Sequence, residues 1–183
     1  MIDSVPQLAT LGHSNRQLND LLALLAEAGV SQLIDIRRLP RSKRHPCFNQ
    51  TALAQTLHHH NIHYLWQGDC LGGLRKATPA SPHTGLEEAF RGFADYMATP
   101  AFLAGINTLM ETARHRPSAI MCAERNPKHC HRSLIADYLS KRQWRVTHWL
   151  DTRRSEPHRP HPALRWTEGQ AVYDRLSQHP LCL

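Results

Sequence analysis

Apolar positions along this chain form two kinds of run, short unbroken ones and longer ones at helical spacing, and the two kinds alternate. Gln7 to Leu11 predicts a short first strand that stops at Gly12-His13-Ser14-Asn15. Leu18, Leu21, Leu22, Leu25 and Ala26 then recur on one helix face, with Ser14 or Asn15 placed to cap it and Gly29 placed to end it. Gln32 to Ile36 predicts a second strand. Residues 37–48 contain two prolines and so exclude a regular helix, after which Asn49 can cap a helix through Leu53 and Leu57 to about Asn61. Ile62 to Trp66 is a third strand, and Gly68 to Pro82 a long loop. Two helices follow, from Gly85 to about Met97 and from Pro100 to about His115, with Thr99-Pro100 marking the break. Ser118 to Cys122 is the fourth strand. The helix after Arg132 carries Leu134, Ile135, Tyr138 and Leu139 on one side, and Arg145 to Leu150 is the fifth strand. Thr152 to Pro162, rich in Arg, His and Pro, reads as a surface excursion before a short terminal helix around Glu168 to Ser177.

Strands alternating with helices predict an α/β fold: a mainly parallel sheet flanked by helices in Rossmann-like layering. A length of 183 residues, 41% of them hydrophobic, is enough for one core. The expectation is a single domain over residues 1–183, with a motif core over about 8–150 and a C-terminal extension over 151–183. No internal repeat is visible. Ligands in such sheets bind beyond the carboxyl ends of the strands. Three predicted strand ends carry polar clusters, Gly12-His13-Ser14, Asp35-Ile36-Arg37 and Cys122-Ala123-Glu124, and these are expected to converge.

Charge narrows the partner. Lys and Arg outnumber Asp and Glu by 22 to 15, a formal +7 before any of the 14 histidines is protonated. The natural partner is anionic, either a small phosphorylated or nucleotide molecule or a nucleic acid; a basic solvated surface without a dedicated partner is the plainer reading. There is no apolar run long enough to span a bilayer and no charged-then-apolar leader at the N-terminus, so no membrane partner and a cytoplasmic location are expected. Five irregularly spaced cysteines do not make a disulfide framework and are read as reduced thiols.

The densest chemistry lies in Met121-Cys122-Ala123-Glu124-Arg125-Asn126-Pro127-Lys128-His129-Cys130-His131-Arg132, between a strand end and a helix start. Unpaired N–H groups at a helix start attract anions. In one reading Cys130, beside His131 and near Arg125, Lys128 and Arg132, is a stabilised thiolate and the nucleophile. Arg132 would then hold an anionic group, and His13, His131 or Glu124 would move protons. That strand, cysteine loop and helix layout is broadly similar to rhodaneses and cysteine phosphatases, except that their regular glycine-rich loop between Cys and Arg is absent. The inert alternative makes Cys122 a small apolar residue and Cys130 a buried loop thiol. A second reading makes Cys122, Cys130 and His131 zinc ligands, with Glu124 or His13 completing the shell. Against it, a spacing of seven residues between the cysteines matches no common zinc knuckle, and adjacent Cys130 and His131 rarely point at one ion. No cofactor is therefore expected, with zinc as the alternative.

A third reading is nucleic-acid binding. Arg37, Arg38, Arg41, Lys43 and Arg44 make a basic loop at a strand end that could clamp phosphates, and His63, Tyr64 and Trp66 could stack on a base. Equally, Tyr64 and Trp66 are alternate residues of a packed strand. Asp35, flanked by Ile34 and Ile36, is costly to bury unpartnered, so Arg37 or Arg41 is its expected partner and an orienting role is favoured over direct catalysis. His58-His59-His60 reads as a polar helix end, because successive helical residues point in different directions. Cys47, Cys70 and Cys182 have no activating neighbours.

Thr10-Leu11-Gly12-His13-Ser14-Asn15-Arg16, Asp35-Ile36-Arg37 with Pro40-Arg41-Ser42, Phe48-Asn49, Leu71-Gly72-Gly73, and Cys122-Ala123-Glu124 with Cys130-His131-Arg132 occur in that order over residues 8 to 150. Together they resemble the domain-of-unknown-function family 488, in which valine is commoner at the middle of the Asp35-Ile36-Arg37 block. The resemblance implies one shared site and no particular reaction. The residues themselves point to an enzyme acting on a phosphorylated, nucleotide or nucleic-acid-derived substrate. Cys130, Glu124, His13 and His131 would do the chemistry, and Ser14, Asp35, Arg37, Arg41, Arg132 and Cys122 would bind.

Overall fold

A computed structural model describes residues 5–175. The chain runs β1 (Gln7–Gly12), α1 (Leu18–Glu27), β2 (Gln32–Asp35), α2 (Gln50–His59), β3 (His63–Trp66), α3 (Gly68–Leu71), α4 (Glu88–Tyr96), α5 (Pro100–His115), β4 (Ser118–Cys122), α6 (Arg132–Lys141), β5 (Arg145–Asp151), β6 (Arg154–Pro157), β7 (Leu164–Thr167) and β8 (Gln170–Tyr173). Six strands form one sheet in the order β3-β2-β4-β1-β5-β6, in which the first five are parallel and β6 is antiparallel to β5.

Both faces of this sheet are covered, as strands without a polar face require. Successive side chains point to opposite faces, so Leu33 and Met121 pack under α1 and α2 while Ile34 and Ile120 pack under α4, α5 and α6. β1 leads into α1 on one face, and its neighbour β4 leads into α6 on the other. Their loops part at the carboxyl end of the sheet and leave a crevice between β1, β2 and β4, which is where α/β folds bind ligands. No described helix is long and apolar enough to cross a membrane.

Several local signals act as expected. Gly29 ends α1 at φ +63°, and Thr99 caps α5 by accepting the Phe102 N–H, with Pro100 in the first turn. Elsewhere long-range packing overrides local pattern. Ser14 turns the chain at φ 47°, and α1 starts only at Leu18, after the N-cap residue Gln17, whose N–H donates to Asp20. Asn49 stands at the N-cap of α2, but its side chain accepts from Ser42 N–H at 2.6 Å and so pins the basic loop. The long loop after β3 opens with α3, and α4 begins at Glu88, three residues beyond the predicted Gly85 start. The predicted surface excursion contains β6, paired on the free edge of β5.

The terminal helix expected from Glu168 is corrected to the β7–β8 hairpin. Glu168 and Gly169 both take positive φ, 50° and 80°, the two-residue turn whose twist suits a hairpin. Leu176 and Ser177, at the end of that expected helix, and Cys182 lie outside the described residues. Buried Tyr173 anchors the hairpin: its hydroxyl donates to Asp137 of α6 at 3.0 Å, and its carbonyl accepts from Gly85 N–H at 2.8 Å.

Candidate active site

The three polar strand ends converge through backbone bonds. His13 N–H donates to the Cys122 carbonyl at 3.0 Å, Ser14 N–H to the Ala123 carbonyl at 2.8 Å, and Ile36 N–H to the Met121 carbonyl at 3.0 Å. Gly12 makes this approach possible. A Cβ there would run into the Glu124 carbonyl, whose carbon would lie 2.5 Å away, with Arg125 Cα at 3.0 Å. Above this junction opens a cleft of about 340 Å³, bounded by Arg37, Cys122, Glu124, Cys130, His131 and Phe93 among others.

One wall is built on Asp35, which is fully buried. Its carboxylate accepts the Arg37 backbone N–H (3.0 Å), Arg37 Nε–H (2.9 Å), Arg37 Nη2–H (2.6 Å) and the Tyr64 hydroxyl (2.7 Å). Nη2 also donates to the Phe48 carbonyl at 2.8 Å, and Nη1 to His13 Nε2 at 3.2 Å. Nη1 carries two hydrogens, so one N–H of this guanidinium is left for the cleft. Burial pulls the Arg37 charge down, but the bonds to Asp35 outweigh it and hold its pKa above the ordinary value. Burial, reinforced by Asp35, pushes the Tyr64 phenol up.

His13 stands behind Arg37. Its Nδ1–H donates to the Ser14 carbonyl at 2.9 Å, so Nε2 is the bare nitrogen that receives Arg37, and the ring stacks on Phe48 with centroids 4.5 Å apart. Burial first, then the Arg37 charge, lowers its pKa to about 4. His13 is therefore neutral near pH 7 with both nitrogens engaged, a group that orients Arg37.

The floor is Cys122, Cys130 and His131, all buried. His131 Nε2–H donates to the Leu71 carbonyl at 3.0 Å, which turns Nδ1 toward the thiols; both sulfurs lie 3.8 Å from it. Adjacent Cys130 and His131 aim at one point because the backbone bends between them, from extended at Cys130 (φ −144°, ψ 138°) to helical at His131 (φ −57°, ψ −16°). Burial pushes the Cys130 thiol up, but the hydrogen bond from Cys122, with His131 and the Arg132 charge, outweighs it and holds Cys130 well below the ordinary thiol range. Cys122, as the donor in that pair and buried, goes well above it.

Of the remaining residues singled out in the sequence, Glu124 lines the cleft with an exposed carboxylate. Arg132 does not line it. This arginine is fully buried, with Nη1 on the Glu124 carbonyl and Nη2 on the Arg125 carbonyl at 2.6 Å, so it clamps the loop between β4 and α6. Ser14 and Arg41 lie off the cleft. Tyr64 and Trp66 spend their polar ends on Asp35 and on the Arg37 carbonyl, 2.9 Å from Trp66 Nε1.

Two contributors carry only a faint mark in the sequence. Phe93 of α4 sets its ring edge-on to His131, with centroids 4.8 Å apart. Gly73 lies against the same imidazole, and a Cβ there would come within 2.9 Å of His131 Nδ1. The paired glycines after Leu71 were the available signal, since consecutive glycines beside a buried residue mark a close approach.

No curated protein and no solved structure matches the chain. Residues 17–139 match the family described as the domain of unknown function DUF488, well over half of the sequence, and the chain belongs to that family.

Proposed function

We propose that this protein is an enzyme that transforms a phosphorylated, nucleotide or nucleic-acid-derived substrate at the floor of the cleft. The observation that carries this reading is the meeting of two thiol sulfurs and one imidazole nitrogen, 3.8 Å from each sulfur, in a cleft at the carboxyl end of a parallel sheet. Cys122, Cys130 and His131 are the reacting centre. Glu124, the exposed carboxylate of the same cleft, is the proton carrier. The uncommitted N–H of Arg37 and the exposed Arg38 at the cleft wall receive the anion. The loop with Arg41, Lys43 and Arg44 would track the phosphates of a longer strand. His13 and Asp35 act through Arg37 as positioning residues, and Arg132 acts through the loop it clamps.

The test is a turnover screen of the purified protein against nucleotides, nucleoside monophosphates, sugar phosphates and short RNA and DNA, with products read by mass spectrometry. Turnover should fall by about 100-fold or more in Cys130→Ser and His131→Gln, and by about 10- to 100-fold in Glu124→Gln, in the range of lost acid–base groups, with circular dichroism unchanged. Absence of turnover, together with RNA or DNA binding that weakens steeply with salt and is indifferent to Cys130→Ser, would replace the enzyme by a nucleic-acid binding protein.

A further inference from the structure

We propose that Cys122, Cys130 and His131 hold a zinc ion whose fourth coordination position opens into the cleft. The inference deepens the enzyme reading and rests on it only for the use of that fourth position. One donor atom from each residue, two Sγ and one imidazole nitrogen, lies within 4.8 Å of the others, and among the described residues no other group of three such side chains does so. A tetrahedral zinc with bonds of about 2.3 Å to sulfur and about 2.0 Å to nitrogen needs its sulfur and nitrogen ligands about 3.5 Å apart. Here both sulfurs stand 3.8 Å from Nδ1, so small side-chain rotations close the site.

The surroundings fit a ligand set. A metal-bound imidazole characteristically donates its other N–H to a carbonyl or carboxylate, which fixes the tautomer and aims the lone pair. His131 does this through Nε2–H to the Leu71 carbonyl at 3.0 Å, leaving Nδ1 toward the sulfurs. Gly73 keeps the space beside Nδ1 free, since a Cβ there would stand 2.9 Å from that atom. Two objections arise from the sequence, and the backbone answers both. The seven-residue separation is spanned by a loop that Arg132 ties back on itself, so Cys122 at the end of β4 faces Cys130 at the foot of α6. Cys130 and His131, though adjacent, aim together because one is extended and the other helical.

Binding takes Zn²⁺ from solution and displaces whatever proton the cysteine pair still holds, leaving a centre of two thiolates and one neutral imidazole. Three protein ligands with an open fourth position is the pattern of a catalytic zinc site rather than a closed structural one. The three ligands border the cleft, so that position faces the substrate. Water held there is acidified toward neutrality, and Glu124 is the cleft carboxylate that takes its proton.

The experiment uses the full chain purified without chelator from zinc-supplemented medium. Elemental analysis should give one zinc per chain. Replacement by Co²⁺ should give near-ultraviolet thiolate-to-cobalt charge transfer and the intense visible bands of a tetrahedral site. Cys130→Ser and His131→Gln should each weaken zinc retention by at least about 100-fold, since loss of even an outer-shell partner costs 10- to 100-fold, whereas Cys47→Ser should retain it. Should either variant fail to fold, the wild-type cobalt spectrum and the protection of Cys122 and Cys130 from alkylation by added zinc decide the matter. Zinc well below one per chain with no thiolate charge transfer overturns the proposal, as does zinc retained undiminished by folded Cys130→Ser and His131→Gln. Stoichiometric zinc without turnover on any substrate removes the enzyme reading and leaves the metal site; undiminished turnover by the metal-free protein leaves the enzyme reading and overturns the use of the fourth position in the reaction.

Discussion

Replacing Asp35 by asparagine tests whether the Arg37 wall is an electrostatic construction. The carboxylate is fully buried and accepts four donor groups, three of them from Arg37, whose own side chain is only 6% exposed. Asparagine keeps the shape but offers one oxygen, and sets an amide N–H₂ against the Arg37 N–H groups, which can only donate. Arg37 then becomes a buried cation with no counter-charge, a loss of about 3–5 kcal/mol when one partner of a buried pair is removed. For a chain of this size about 1 kcal/mol moves Tm by about 2–4 °C, so a fall of about 6–20 °C is expected. Urea and thermal unfolding followed by circular dichroism measure it. The variant Asp35→Asn with Arg37→Gln removes both charges and should lose about 2 kcal/mol less than the two single losses added together, as coupled neighbours do. A loss below about 1 kcal/mol in Asp35→Asn, or strict additivity in the double variant, would refute the assignment of Asp35 as the counter-charge that fixes Arg37.

Two further outcomes follow from the packing. Gly12→Ala should lower stability by about 1–3 kcal/mol, because the added methyl meets backbone atoms of Glu124 and Arg125 and no side chain can rotate away; it should also speed alkylation of Cys122 and Cys130, and unchanged rates and urea midpoint would count against Gly12 holding the cleft floor. His148, facing Thr10, His158, Arg132 and Cys130, has its pKa lowered to about 3, chiefly by burial and then by the charges of His158 and Arg132, with Cys130 opposing. The unfolded chain therefore binds a proton below about pH 6.5 that the native state refuses, so this stability is complete above pH 6.5 and is lost as pH falls toward 3, at up to about 1.4 kcal/mol per pH unit. Urea unfolding at pH 7, 6 and 5 should show a shallower decline in His148→Gln than in the parent, and identical slopes would contradict the reading.

What the sequence made legible follows from where its information is local. The five parallel strands are short apolar runs with polar residues at their carboxyl ends, and that pattern alone predicts both the sheet and the meeting of His13, Arg37 and Cys122. The hairpin after Ala163 was not legible, since Leu164–Thr167 and Gln170–Tyr173 are four residues each and their stability lies in Tyr173 reaching Asp137 from 36 positions away. The same division runs through the site. Residue types in the loop after β4 announce thiol, imidazole and carboxylate chemistry, but their division of labour depends on distances no spacing rule encodes. Arg132, read as an anion clamp from its place at a helix start, is instead fully buried against the carbonyls of Glu124 and Arg125. Removing water from a guanidinium at that depth is costly unless its N–H groups find acceptors, and the ones Arg132 finds are two carbonyls of the loop itself, so the burial is offset only when the loop is closed. That closure is what brings Cys130 back beside Cys122, so the arginine's contribution to the chemistry is made through the geometry of the sulfurs and not through contact with a substrate.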